Sequence, residues 1–244
     1  MPVLYLVATP IGNLEDVSLR ALRVLSEVGL IAAEDTRVTR KLLTRHGIRN
    51  RLVSYHQFSG PDRVGRLIET LASQDVALVS DAGMPNISDP GYALVKAAIQ
   101  HGIQVTPIPG ASALISAVAV SGLPTDQFVY LGFVPRKAGD RRRLLAGLVD
   151  ERRTAAFFES PHRLLRTLDD LIAVIPERPL AVCRELTKLY EEVFRGDPAA
   201  ARSHFAQPRG EFTLVVGGRP LVASAYWGLG DGRAVLPDQN SATA

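Results

Sequence analysis

The chain has one cysteine, no apolar run long enough to cross a membrane, and none of the glycine signatures that hold phosphates. Each lack removes a class of protein. With Cys183 alone, no intrachain disulfide can form and no thiolate metal site can be assembled. Its apolar setting, LAVCREL, is that of a buried strand residue. The histidines His46, His56, His101, His162 and His204 lack metal-ligand spacing, so zinc is not expected. Asp81 and Asp89 together suggest magnesium, but Asp89 before Pro90 reads more simply as a helix N-cap, and no metal is expected. A membrane helix needs about 18 or more apolar residues, which are absent, and the N-terminus MPVLYLVATPIGN has neither a basic flank nor a small-residue cleavage site. A cytoplasmic protein without membrane attachment is therefore expected. G-x-G-x-x-G and the P-loop pattern are both absent, so classical dinucleotide and P-loop sites lack their sequence basis. A net charge of +3 is too small to name an anionic partner by itself.

What is present is a globular pattern. At 244 residues and 46% apolar composition, the chain can bury a full core in one large or two modest domains. Short apolar runs alternate with helical periodicity, which predicts an α/β fold built on a mostly parallel sheet. In the first half, strands are expected at VLYLVA, LIAAE, RLVSY, VALVSD and QVTPIP, each followed by a helical stretch. The pattern breaks at Gly122–Gln127, where turn residues collect. The expected division is residues 1–121, residues 122–218 as a smaller α/β domain with a mixed sheet, and residues 219–244 as an irregular tail. In the second half, the tight Thr187–Leu189 connection suggests that some strand pairs are antiparallel.

Three loops of the first half follow strands and carry Gly or Pro where the backbone must turn sharply: Thr9–Asn13, Asp81–Gly91 and Pro109–Ala113. In an open parallel sheet, ligands collect beyond the carboxyl ends of the strands, so these loops mark the expected site.

TPIGNL (from Thr9), AAEDTR (from Ala32), SDAGMPNISDPG (from Ser80), PGASA (from Pro109), GFVP (from Gly132), FFESPHR (from Phe157) and CRELTK (from Cys183) occur in this order. In that order they resemble the tetrapyrrole methylase superfamily, and within it the branch that methylates ribose 2′-hydroxyls of bacterial small-subunit ribosomal RNA. The resemblance implies two unequal α/β domains with S-adenosylmethionine in the cleft between them. It implies cofactor contacts from Pro10, Ile11 and Gly12, from Asp81, Ala82, Gly83 and Met84, and from Ser112 and Ala113, with Phe158 and Leu186 approaching from the second domain. It also implies a cytidine near the decoding centre as target, and a homodimer. A cofactor with an amino acid, a sulfonium and a nucleoside but no phosphate accords with the absent phosphate fingerprints. Such a ligand needs a carboxylate for its cationic groups, and Asp81 is the candidate. Met84 and Asn86 stand where the related loop commonly has Thr and Leu, Ala111 replaces a Pro, and the small basic C-terminal helical segment usual in the branch is not evident.

Charge placement bears on RNA independently. From Thr36 to Arg51 there are six Lys or Arg residues and no acid. Arg37, Lys41 and Arg45 recur on one helical face, with Val38, Leu42 and Leu43 as its apolar side. A second basic block, Arg136, Lys137 and Arg141–Arg143, is expected in a loop opening the second domain. Methylating a ribose hydroxyl requires in-line alignment and removal of a proton from a very weak acid. Glu185 or Lys188 is expected near the hydroxyl, with Asp35, Arg37 and Arg184 available from the same two motifs for catalysis or substrate positioning. Glu159 and His162 either serve the same cleft or open a helix. The alternatives are a methyltransferase for a small tetrapyrrole, which would not need the basic helix, and a noncatalytic RNA-binding relative, which would not bind the cofactor.

Overall fold

A computed structural model describes residues 1–219. The expected tail lies outside the described residues apart from Arg219. By their contacts the described residues form two compact units, one of Met1–Ser116 with Glu185–Glu191, the other of Ala117–Arg184 with residues 192–219. The division falls inside a helix, Ala113–Val120, rather than at the turn residues from Gly122. Those residues mark the end of helical periodicity, whereas a change of packing partner within one helix leaves no mark in the sequence.

In the first unit, the apolar runs become β1 (Val3–Val7), β2 (Leu30–Ala33), β3 (Leu52–Ser54), β4 (Val76–Val79) and β5 (Gln104–Ile108). All pairs are parallel, in the order β3-β2-β4-β1-β5. Every residue of β2 and β4 is buried, as unbroken apolar runs in a sheet covered on both faces require. Because successive side chains point to opposite faces, Ile31 and Ala33 join one core with Leu25, Leu42 and Leu43, while Leu30 and Ala32 join another with Leu67, Leu71 and Leu94.

Five helices accompany these strands: α1 (Leu19–Glu27), α2 (Thr36–Arg45), α3 (Pro61–Thr70), α4 (Tyr92–Gln100) and α5 (Ala113–Val120). Ser18 caps α1 and Asp35 caps α2, each accepting a backbone N–H of the first turn. The buried stripe of α2 is Thr39, Leu42 and Leu43; Val38, expected on that side, is 38% exposed at its margin. Asp89 is not the N-cap of α4. The helix starts behind Gly91, where a Cβ would come within 2.7 Å of Asn86 Cβ, so the loop folds back on itself before the helix begins. Asp89 instead bonds to the Ser80 side chain.

The second unit contains β6 (Phe128–Phe133), β7 (Thr154–Glu159), β8 (Leu180–Arg184), β9 (Glu192–Gly196) and β10 (Phe212–Val216) in the order β6-β7-β10-β8-β9. Only β6 and β7 pair in parallel, so the sheet is mixed, as expected. Helices α6 (Ala138–Ala146), α7 (Pro161–Val174) and α8 (Pro198–His204) complete it around Phe157, Leu164, Leu168, Leu171, Val182 and Leu214. Cys183 is buried in β8. Pro161 occupies the first turn of α7 behind Ser160, although the serine side chain makes no capping bond.

The second basic block lies only partly in a loop. Arg136 and Lys137 precede α6, and Arg141–Arg143 lie within it. Arg141 is buried with its Nε 2.6 Å from Asp170, Arg142 lies 2.9 Å from the same carboxylate, and Arg143 pairs with Asp140. Burial alone would raise the pKa of Asp170, but the two guanidiniums hold it below its ordinary value. The connection between β8 and β9 is also wider than expected: β9 begins at Glu192, and Glu185–Glu191 packs with the first unit.

Candidate functional site

The strand order of the first unit places a divergence in the sheet. The chain leaving β2 goes to β3 at one edge, while the chain leaving β4 goes to β5 at the other. Neighbouring strands whose connections part in this way leave a crevice at their carboxyl ends, the usual ligand position in open parallel sheets. Glu34, Asp35 and Asp81 stand there. Asp35 N donates to Asp81 Oδ1 at 3.0 Å and Asp81 N donates to Glu34 Oε2 at 3.4 Å, so the two loops are tied by their own carboxylates.

The loop after β1 joins the same edge. Thr9 and Gly83 exchange backbone hydrogen bonds of 2.9 and 3.0 Å, and Thr9 Oγ1 donates to Ser80 O. Gly83 has φ +76°, a conformation that favours glycine, and a Cβ added there would lie 3.5 Å from Ile11 Cγ2. Pro10 and Ile11 are buried, Gly12 is exposed and Met84 is half-buried. On the far side of β1, Ala8 N donates to Ile108 O, and Gly110 passes so close to Ala8 that an added Cβ would lie 3.0 Å from the Ala8 methyl. Ser112 and Ala113 then open α5, with Ser116 N donating to Ser112 O.

The segment Glu185–Glu191 closes on the first-strand loop. Thr187 Oγ1 accepts from Asn13 N at 3.1 Å, and an added Cβ on Gly12 would lie 2.4 Å from Lys188 Cγ and 2.8 Å from Thr187 Oγ1. Glu185 and Thr187 have φ of +49° and +68°. Left-handed backbone at a β-branched residue is costly and is kept only where surrounding contacts enforce it. Lys188 Nζ lies 2.9 Å from Glu185 Oε1, making these two one charged unit. Leu186, expected from the second domain, packs with the first unit through this segment.

The carboxylates of the sheet edge differ in proton affinity. Desolvation raises the pKa of Glu34 and of Asp81. Asp89 is pushed up to about 6, first by desolvation and then by the charge of Glu34. Asp35 is held down at about 2 because the Arg37 guanidinium and backbone N–H both donate to it. Carboxylates that bind protons more readily than usual are stabilised by a nearby cation. No group of three or more His, Cys, Asp or Glu among the described residues is arranged to hold a metal ion.

Other expected site residues lie elsewhere. Arg184 is in the second unit, bonded to Glu192 and to Arg209 O. Phe158 is half-buried in β7 against Tyr130 and Phe133, with ring centroids 5.4 Å apart in both pairs. Glu159 is buried and bonded to Ser160 N, Thr167 Oγ1 and Arg163, a set that fixes the start of α7. On α2, Arg37, Lys41 and Arg45 are exposed, with Arg37 held by Asp35. Thr9, Ser80 and Thr187 were not singled out by sequence, and nothing in the spacing of Asn13 and Thr187 announces their bond.

Comparison with known proteins agrees with this architecture. The Tetrapyrrole (Corrin/Porphyrin) Methylases family matches residues 3–201. A Halalkalibacterium halodurans protein named Ribosomal RNA small subunit methyltransferase I is 52% identical over 88% of this chain and 75% of its own. A Thermotoga maritima protein of the same name is 50% identical over 90% of this chain and all of its own. Among solved structures, uroporphyrin-III C-methyltransferase from Thermus thermophilus, complexed with S-adenyl homocysteine, shares the fold at a TM-score of 0.60 with 20% identity, covering 88% of this chain and 97% of that one. The chain belongs to the tetrapyrrole (corrin/porphyrin) methylase family.

Proposed function

We propose that this protein transfers a methyl group from S-adenosylmethionine to a ribose 2′-hydroxyl of small-subunit ribosomal RNA. The observation that carries this reading is the half-identity, over nearly nine-tenths of the chain, to relatives that share one name, Ribosomal RNA small subunit methyltransferase I. A small tetrapyrrole-like substrate, which the family description raises, is less favoured by those names. That the target is a cytidine near the decoding centre, and that the enzyme acts in the cytoplasm as a homodimer, rests on the family resemblance.

The first unit fits the cofactor chemically. Its sheet edge is rich in carboxylates of raised proton affinity and has no phosphate-binding glycine loop, which suits a cationic ligand without phosphate. Pro10, Ile11, Gly12, Asp81, Ala82, Gly83, Met84, Ser112 and Ala113 would hold it, with Phe158 and Leu186 as further contacts. When bound, the cofactor supplies an electrophilic methyl on its sulfonium.

The remaining chemistry belongs to the chain. Glu185 accepts the proton of the hydroxyl, or Lys188 stabilises the charge that develops on its oxygen; the 2.9 Å pair keeps both options in one place. Asp35 holds Arg37, and Arg37, Lys41 and Arg45 meet RNA phosphates. Arg184 is a further candidate for substrate contact.

The test is transfer of labelled methyl from the cofactor to small ribosomal subunits lacking the mark, followed by nucleoside analysis. A 2′-O-methylnucleoside is expected, and Lys188→Met or Glu185→Gln should lower turnover about 10²–10⁴-fold with cofactor affinity nearly unchanged. No transfer to subunits or to their RNA would overturn the reading.

A further inference from the structure

Phe58 is the most exposed aromatic side chain among the described residues, at 82%. An isolated exposed apolar residue needs no explanation, but this ring is not on a slack loop. His56 N donates to Ser59 Oγ, Ser59 N donates to His56 O at 2.8 Å, and Phe58 N donates to His56 Nδ1. The His56 and Phe58 rings meet edge to face with centroids 6.1 Å apart. A closed turn therefore braces the ring and presents it to solvent.

Its position is equally specific. Ser54, the last residue of β3, is in register with Ala33, the last of β2, and Tyr55 N donates to Ala33 O. The turn thus leaves the sheet beside Glu34 and Asp35, where the basic helix α2 begins, and His56 is near enough to Glu34 to act on its charge. A rigid exposed aromatic beside the start of a helix that carries exposed Arg and Lys is a combination suited to unpaired nucleotides: phosphates meet the cations and a base stacks on the ring.

We propose that Phe58 is a stacking platform for an unpaired base of the RNA substrate, next to the phosphate contacts of α2. This rests on the RNA methylation reading above. Phe58→Ala should lower kcat/KM for small subunits about 5- to 100-fold, the range of a lost base stack, mainly through KM and with unchanged cofactor affinity. Phe58→Tyr should restore it to within about threefold, since stacking needs only the ring. Phe58→Trp in a Trp227→Phe background should lose fluorescence when single-stranded ribosomal RNA is added. Wild-type kcat/KM in Phe58→Ala, failure of Tyr to rescue, or no quenching would each overturn the proposal. So would a variant that changes only its sedimentation, which would make Phe58 a protein contact. If the wild type transfers no methyl yet the tryptophan is quenched by RNA, the activity reading fails and the platform stands.

Discussion

The two basic stretches of this chain look alike in sequence and are disposed differently in the fold. On α2, Arg37, Lys41 and Arg45 point to solvent beside the sheet edge, and only Arg37 is drawn to a carboxylate two residues away. On α6, Arg141 and Arg142 converge on Asp170, and Arg141 and Asp170 side chains are each 7% exposed. Whether a basic side chain stays exposed, as Lys41 does, or is buried, as Arg141 is, depends here on an acid 29 residues away, supplied by a helix packed alongside, whereas Arg142 and Arg143 remain largely exposed. Local charge density does not decide it.

The contrast breaks most sharply at Asp170. Asp170→Ala strands the buried Arg141, so urea unfolding should show a loss of about 3–5 kcal/mol with RNA affinity per folded molecule retained. Replacing both partners with apolar residues, Arg141→Met with Asp170→Leu, should recover most of that stability.

A smaller effect is expected where the first unit's loops close. Gly12→Ala places a methyl on Lys188 and Thr187, and overpacking of this kind costs about 1–3 kcal/mol. The strained Glu185–Glu191 segment should absorb the change, so methyl transfer should fall more than global stability, as thermal unfolding and turnover measured together would show.

The smallest effect concerns the carboxylates. The folded pKa of Asp89, about 6, lies above its ordinary value of 3.8, so its contribution to stability is full below about pH 4 and is lost as pH rises through 6. Asp89→Asn keeps an acceptor for Ser80 and removes the half-buried charge. It should stabilise the protein at pH 7 on the order of 1 kcal/mol, after allowing for solvent screening, and do nothing at pH 3.5. No counterpart is expected at Asp170, whose pKa is lowered.

Much of this was legible in the sequence. Apolar runs such as Leu30–Ala33 and Val76–Val79 announced buried parallel strands, and Gly and Pro marked the loops at their ends. What stayed hidden was set by long-range partners. Asp89 looked like a cap because Pro90 follows it, yet the fold of Asn86–Gly91 delays the helix and turns Asp89 toward Ser80. Thr187–Leu189 looked like a tight hairpin connection because nothing local reveals that Thr187 bonds to Asn13. The burial of Arg141 stayed hidden because Asp170 lies on another helix.

The most direct test of the contrast between α2 and α6 is the salt dependence of RNA affinity in three proteins measured together: wild type, the triple variant Arg37→Ala, Lys41→Ala, Arg45→Ala, and the double variant Arg142→Ala, Arg143→Ala. Each lost phosphate contact removes about 0.7–0.9 from the slope of log affinity against log salt. The triple variant should therefore be shallower by about 2 with cofactor binding intact, and the double variant should run parallel to wild type. An unchanged slope in the triple variant, with a flattened one in the double, would contradict the assignment of α2 as the RNA face.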